Sequence, residues 1–279
     1  MKKKFFLFSI LIILFSFITK AHAQSTYEVQ FKTMRSIVDE SLAEQYFDFF
    51  DYSVEIINNR ADSADISYAA NLLVQIITNK TCEQTKLMLK FLENKNSLPI
   101  SDYETGLEEK LIYSILLFHT CDQYNNQGLE RETVAKEILK NIIDKSSKKN
   151  YVMAALLIIA KLDYENYRQY YNMLREKFPE HKAWPYIEWD EVMVKYYYVE
   201  RDYNKGVAET LKLAEKYKNL RTPLGEKYYI DCYSSVACTY AYGLGNYKKA
   251  EEYLAIIERD SPNYIVLDWL RKIVRPKAK

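Results

Sequence analysis

The chain has 279 residues, 48 % hydrophobic and 15 % aromatic, with 39 basic and 38 acidic residues and a formal charge of +1 at pH 7. So even a balance excludes the basic footprint that non-specific nucleic-acid binding needs. Six glycines and six prolines are too few for a sheet protein of this length, which requires turn residues at short intervals, so the composition predicts an all-α chain.

In chain order, residues 1–23 read as a signal peptide. MKKK gives a positive start, FFLFSILIILFSFI an apolar run, and Ala21-His22-Ala23 a small-residue cleavage site followed by Gln24. The run is about 14 residues, short of the roughly 20 that span a bilayer, so export is preferred over a retained anchor, which is the alternative. No cysteine stands at the cleavage point, which argues against a bacterial lipid anchor. The expected location is periplasmic or extracellular, in a bacterium. Cleavage removes Lys2, Lys3, Lys4 and Lys20 but no acid, so 35 basic against 38 acidic residues leave the mature chain at −3.

Residues 24–60 hold one or two helices whose pairing the pattern does not fix. Beyond them, apolar residues recur at spacings of three and four, the mark of helices with one buried face. Residues 66–79 and 82–95 form one expected hairpin, and 107–120 with 130–144 another, the latter carrying Ala135, Leu139 and Ile142 on one face. Three longer units follow. Their first helices are 151–162, 185–200 and 230–243, and their second helices follow Asp163-Tyr164, Asp202-Tyr203 and Asn246-Tyr247. Three residues after each tyrosine stand Tyr167, Gly206 and Ala250; seven after, Tyr171, Thr210 and Leu254; ten after, Leu174, Leu213 and Ile257. Those offsets define one helix face. Asp or Asn before the helix is a favoured N-cap, and the adjacent tyrosine is expected to wedge into the bend. Pro179 and Pro262 end two of the helices, and Pro223 is the delayed stop of the third.

In this region the chain resembles the tetratricopeptide-repeat family. GNYKKAEEYLAIIERDSPN carries the resemblance best, with Gly245, Tyr247, Ala250 and Pro262 where that motif has them. The resemblance covers residues 148–279 and weakens before them. The Asp/Asn-Tyr markers are 39 and 44 residues apart, against a family period of about 34. It implies a right-handed superhelical solenoid of about five antiparallel hairpins over 61–262, with 263–279 as a capping helix and tail. In such a stack Cys82 and Cys121 come together, and either a disulfide or two reduced buried thiols fits that placement. Cys232 and Cys238 fall on different faces of one helix and should stay unpaired.

Chemistry is thinly signalled. There is no GxSxG, HExxH, CxxC or glycine-rich phosphate loop, so the chain is expected to be non-catalytic, with no metal or cofactor. His119 reads as a core residue, His181 as a solvated turn residue, and Glu188, Asp190 and Glu191 as an ordinary surface cluster. The 26 tyrosines are densest in AWPYIEWDEVMVKYYYVERDY, where Met193, Val194 and Tyr197 fall on the core stripe with Trp189 at its edge. Glu188, Glu191, Lys195 and Tyr198 fall on a different face, and a shift of 44 residues gives Cys232, Ser235, Thr239 and Tyr242. In the resembling family this face lines the concave groove that grips a partner segment. Glu188, Glu191, Lys195, Tyr198, Ser235, Thr239 and Tyr242 are therefore the expected partner-binding residues, an ordinary solvated face being the alternative. The expected function is an envelope adaptor holding a protein or peptide; a carbohydrate-binding protein using surface Tyr and Trp is the second reading.

Overall fold

A computed structural model describes residues 55, 57–58, 65–78, 85–86, 89, 103–119, 126–222, 225–264 and 266–275. Residues 1–23, read above as a signal peptide, together with Cys82, Cys121 and most of 24–60 and 82–95, lie outside the described residues. Among those described there are helices and one isolated bridge, Arg221 with Lys227, but no strand. No described helix is long and apolar enough to cross a membrane.

The helices are α1 (Asp65–Thr78), α2 (Leu107–Phe118), α3 (Asn126–Lys145), α4 (Lys149–Leu162), α5 (Tyr167–Lys177), α6 (Trp184–Val192), α7 (Tyr203–Lys216), α8 (Tyr228–Cys238), α9 (Tyr247–Asp260) and α10 (Leu267–Val274). They fall into two compact units, one of residues 1–54 and 73–147 and one of 55–72 and 148–279.

In the first unit α2 and α3 pack together as the expected hairpin. Ala135, Leu139 and Ile142 are buried on α3, and Leu107, Leu111 and Ile115 on α2. Glu104, just before α2, accepts from both the backbone N–H (2.7 Å) and the hydroxyl (2.9 Å) of Ser147, just after α3, which ties the open end of the hairpin.

In the second unit α4 packs on α5, α6 and its extension on α7, α7 on α8, α8 on α9, and α10 on both α8 and α9. The repeated face is buried as its spacing predicts: Tyr167, Tyr171 and Leu174 on α5; Gly206, Thr210 and Leu213 on α7; Ala250, Leu254 and Ile257 on α9. α4 has no polar face between Tyr151 and Ala160, all buried. Asp202 and Asn246 cap α7 and α9, each accepting from the N–H three residues on (Lys205 and Lys249, both 3.1 Å).

Asp163 departs from this pattern. It is the C-cap of α4, is buried, and accepts from Asn166 Nδ2 (3.0 Å) and Tyr170 OH (2.8 Å), so α5 starts three residues later than its counterparts. The tyrosines beside the caps also differ. Tyr203 packs over Gly243, where a Cβ would stand 3.2 Å from the ring, whereas Tyr164 and Tyr247 are exposed.

α5 and α9 end two residues before Pro179 and Pro262, as the backbone restriction ahead of proline requires. The helix before Pro223 is not delayed: α7 ends at Lys216. The extra five residues between the 39- and 44-residue spacings lie in the connection after α7, residues 217–227 against 178–183 after α5. There Thr222 N–H donates to Glu226 O (2.6 Å), and Gly225 turns the chain at φ +85°.

Two apolar clusters hold the later helices. Tyr186, Leu213, Ala214, Tyr228 and Cys232 join α6, α7 and α8. Ile230, Ala237, Leu254, Ile257, Leu267 and Leu270 join α8, α9 and α10. α10 closes the second cluster; its Arg271 and the C-cap residue Arg275 pair with Glu258 and Glu251 of α9.

Candidate functional site

α6 and α8 do not end as α-helices. Each runs on into a π-helical stretch, Met193–Val199 and Thr239–Gly243, closed by N–H groups that reach back five residues: Glu200 to Lys195 O (2.8 Å) and Leu244 to Thr239 O (3.0 Å). A π turn shifts later side chains around the helix relative to an α turn, and such turns gather at functional positions. Here each one delivers a tyrosine outward just before the bend. Tyr198 is 53 % exposed and Tyr242, its equivalent one repeat on, 71 %.

The rest of the predicted face separates into three environments. Glu188 accepts from Lys216 Nζ (2.7 and 2.9 Å) and Tyr217 OH (3.0 Å) at the end of α7, so it is engaged within its own hairpin. Glu191 pairs with Arg175 of α5, whose guanidinium also lies 5.8 Å from the Trp184 ring centroid. On α8 and its extension, Cys232 and Thr239 are buried and Ser235 half-buried, with the Thr239 hydroxyl donating to Ser235 O (2.7 Å). Lys195 is half-buried, its ammonium 4.5 Å from the Tyr196 ring centroid. The structure therefore brings Lys195, Tyr198 and Tyr242 to the bend-side ends of their helices, while Glu188 and Glu191 are held in ion pairs and Thr239 is buried.

Tyr198 has a neighbour that the sequence pattern did not connect to it. The Tyr164 ring, after α4, stacks on Tyr198 with centroids 5.5 Å apart and planes 7° from parallel. Burial, then Tyr198 and Asp190, holds the Tyr164 hydroxyl above the usual phenol range. Asp190 itself is fully buried on α6 rather than part of a surface cluster. It accepts from Tyr171 OH of α5 (2.6 Å), and Lys161 Nζ of α4 lies 2.7 Å from its other oxygen. The spacing held a signal for this: Asp190 is three residues from Ile187 and four from Val194, both fully buried. Burial, then Asp190, pushes the Tyr171 hydroxyl well above its ordinary range, so this tyrosine is a fixed donor and not an acid.

The aromatic run divides between core and edge. Val194 is buried, Met193 and Tyr197 are half-buried, and Trp189 packs at the rim of the α6–α8 cluster, its indole N–H unpartnered among the described residues. His119 is half-buried as the C-cap of α2 rather than in the core. His181 is not a freely solvated turn residue: its Nδ1 accepts from Ala183 N–H (3.1 Å), and its ring meets Phe178 edge-on. Cys232 and Cys238 are free thiols that burial pushes up, Cys238 to about 11, and a thiol held protonated is a poor nucleophile. Among the described residues no group of three His, Cys, Asp or Glu could hold a metal ion. What these groups can do together is stack on flat or apolar surfaces and hydrogen-bond around them. No protein-family model, curated protein or solved structure matches the chain.

Proposed function

We propose that the chain is an exported, non-catalytic helical-repeat protein of the tetratricopeptide-like kind, a right-handed solenoid that holds a protein or peptide segment as an envelope adaptor. The observation that carries this reading is the pairing of Tyr198 with Tyr242. They occupy equivalent places one repeat apart, each at the end of a π-helical extension, and both stand out into solvent although most repeat-equivalent residues are buried. Outward tyrosines supply large, stiff contact area that loses little side-chain entropy on binding. Lys195 and Ser235, both half-buried, are the predicted hydrogen-bonding groups of this face that are not already held by an ion pair or buried. Affinity capture from the native envelope, comparing the mature chain with the Tyr198→Ala/Tyr242→Ala variant, tests the reading. Partner proteins should co-purify with the first and be lost from the second at unchanged helical circular dichroism; equal capture by both rejects it.

The second reading is carbohydrate binding. The Tyr164–Tyr198 pair supports it, because two exposed rings stacked on one another still offer an outer aromatic face of the kind on which a sugar stacks. A glycan array separates the two readings.

A further inference from the structure

The bends after α6 and α8 adjoin, since Tyr203 at the start of α7 packs over Gly243 at the end of the second π-helical stretch. Their charge is lopsided. Residues 195–205 and 239–249 hold five basic side chains against two acids, Glu200 and Asp202, in a chain whose overall charge is only +1. One of those acids is already committed, Asp202 capping α7 and pairing with Lys205 (3.0 Å). Arg201 and Lys248 are exposed and make no hydrogen bond or ion pair among the described residues. In sequence Arg201 follows Tyr198 and Val199, and Lys248 follows Tyr242 and Tyr247, and all four of these residues are exposed.

Arg201 is also costly where it stands. Its φ is +52°, in the left-handed region, where the equivalent bend uses Gly245 at φ +62°. A side chain there crowds the backbone, and glycine would relieve it. Nothing compensates, because the guanidinium has no hydrogen-bond or ion-pair partner among the described residues.

We infer that this edge docks an acidic peptide segment carrying an aromatic or apolar side chain, with Arg201 meeting the carboxylate and Tyr198 and Tyr242 the apolar group. The inference rests on the peptide-binding reading above and adds the chemistry of the partner. Cations interleaved with tyrosines also suit single-stranded nucleic acid, but the near-neutral chain lacks the extended basic footprint that such binding uses.

The test is selection of a random-peptide phage library on the mature chain, followed by titration of the enriched peptides against wild type, Arg201→Gly and Arg201→Lys. Enriched sequences should place Asp or Glu within a few residues of an aromatic. Arg201→Gly should weaken their binding by about tenfold, and Arg201→Lys by clearly less. The same Arg201→Gly change should raise the melting midpoint, by about 2–4 °C, so that stability and binding move in opposite directions. Enriched peptides without acids, equal binding by Arg201→Gly, or tighter binding of a single-stranded oligonucleotide each overturn the inference. Peptides that require Tyr198 but ignore Arg201 leave the peptide-binding reading standing without it. A selection that enriches nothing removes both.

Discussion

Asp190 is fully buried and Asp231 half-buried, and the chain treats the two carboxylates differently. Asp190 receives a cation and a hydroxyl, Lys161 and Tyr171. Removing one member of a buried ion pair leaves the other uncompensated, so Asp190→Ala should cost about 3–5 kcal/mol in denaturant unfolding. Adding Lys161→Met should recover most of that loss; a double variant no better than the single one would show that the pair is not coupled. Asp231 at the start of α8 accepts, among the described residues, from the Tyr264 hydroxyl (2.8 Å), and burial, with Glu226 adding to it, pushes its carboxyl up to about 6. A carboxyl raised above its unfolded value binds its proton more readily in the folded state, so its charge destabilises the fold as pH rises from about 4 to about 6. Asp231→Asn keeps an acceptor for Tyr264 and never ionises. It should therefore be more stable than wild type at pH 7.5, by about 2–3 kcal/mol, with the gap closing near pH 4. A gap of the same size at both pH values would remove the titration from the explanation.

The π-helical end of α6 is locked to α7 by one close approach. A Cβ on Gly206 would lie 2.4 Å from the Tyr197 ring, and that ring is itself held edge-on against Tyr203 (6.1 Å). Glycine inside a helix ordinarily costs about 1 kcal/mol relative to alanine. Gly206→Ala should nevertheless lower the melting midpoint, because the ring has to move. In a Tyr197→Ala background the same change should raise it, and an unchanged sign would place the cause elsewhere than in this contact. The small residue three after the marker was legible in the sequence, as were the buried positions seven and ten after it, because helix periodicity records burial directly. The π-helical ends were not legible: MVKYYYV and TYAYG read equally well as α-helix, and the difference lies in which carbonyl accepts a backbone N–H. Asp163 misled for a related reason. The same Asp-Tyr pair that caps α7 closes α4 instead, since Asn166 and Tyr170 satisfy its carboxylate. At the candidate site, periodicity separated Tyr198 and Tyr242 from the core stripe. It could not reveal that Glu188 and Glu191 are taken up by Lys216 and Arg175 on other helices, which is a matter of tertiary placement.

At the scale of the whole chain, the later unit is not continuous in sequence: residues 55–72 belong with 148–279. Asn150, buried at the start of α4, donates its side-chain amide to the carbonyls of Ile57 and Asn58, and Ile57 is itself buried. A fragment of residues 148–279 thus keeps every helix from α4 to α10 but strands this amide and uncovers the surface against which Ile57 packs. With water then able to replace the lost carbonyls, the missing hydrogen bonds cost about 0.5–1.5 kcal/mol each, and the lost apolar burial of Ile57 adds to that. The three tryptophans, Trp184, Trp189 and Trp269, all lie in the later unit, so their fluorescence reports its unfolding even when the other unit is present. By that signal the 148–279 fragment should unfold at lower urea than a chain of residues 24–279, and residues 55–72 joined to it through a flexible linker should restore most of the difference. Coincident transitions for the fragment and the longer chain would mean that the upstream segment adds no stability, and that helices α4 to α10 are sufficient by themselves.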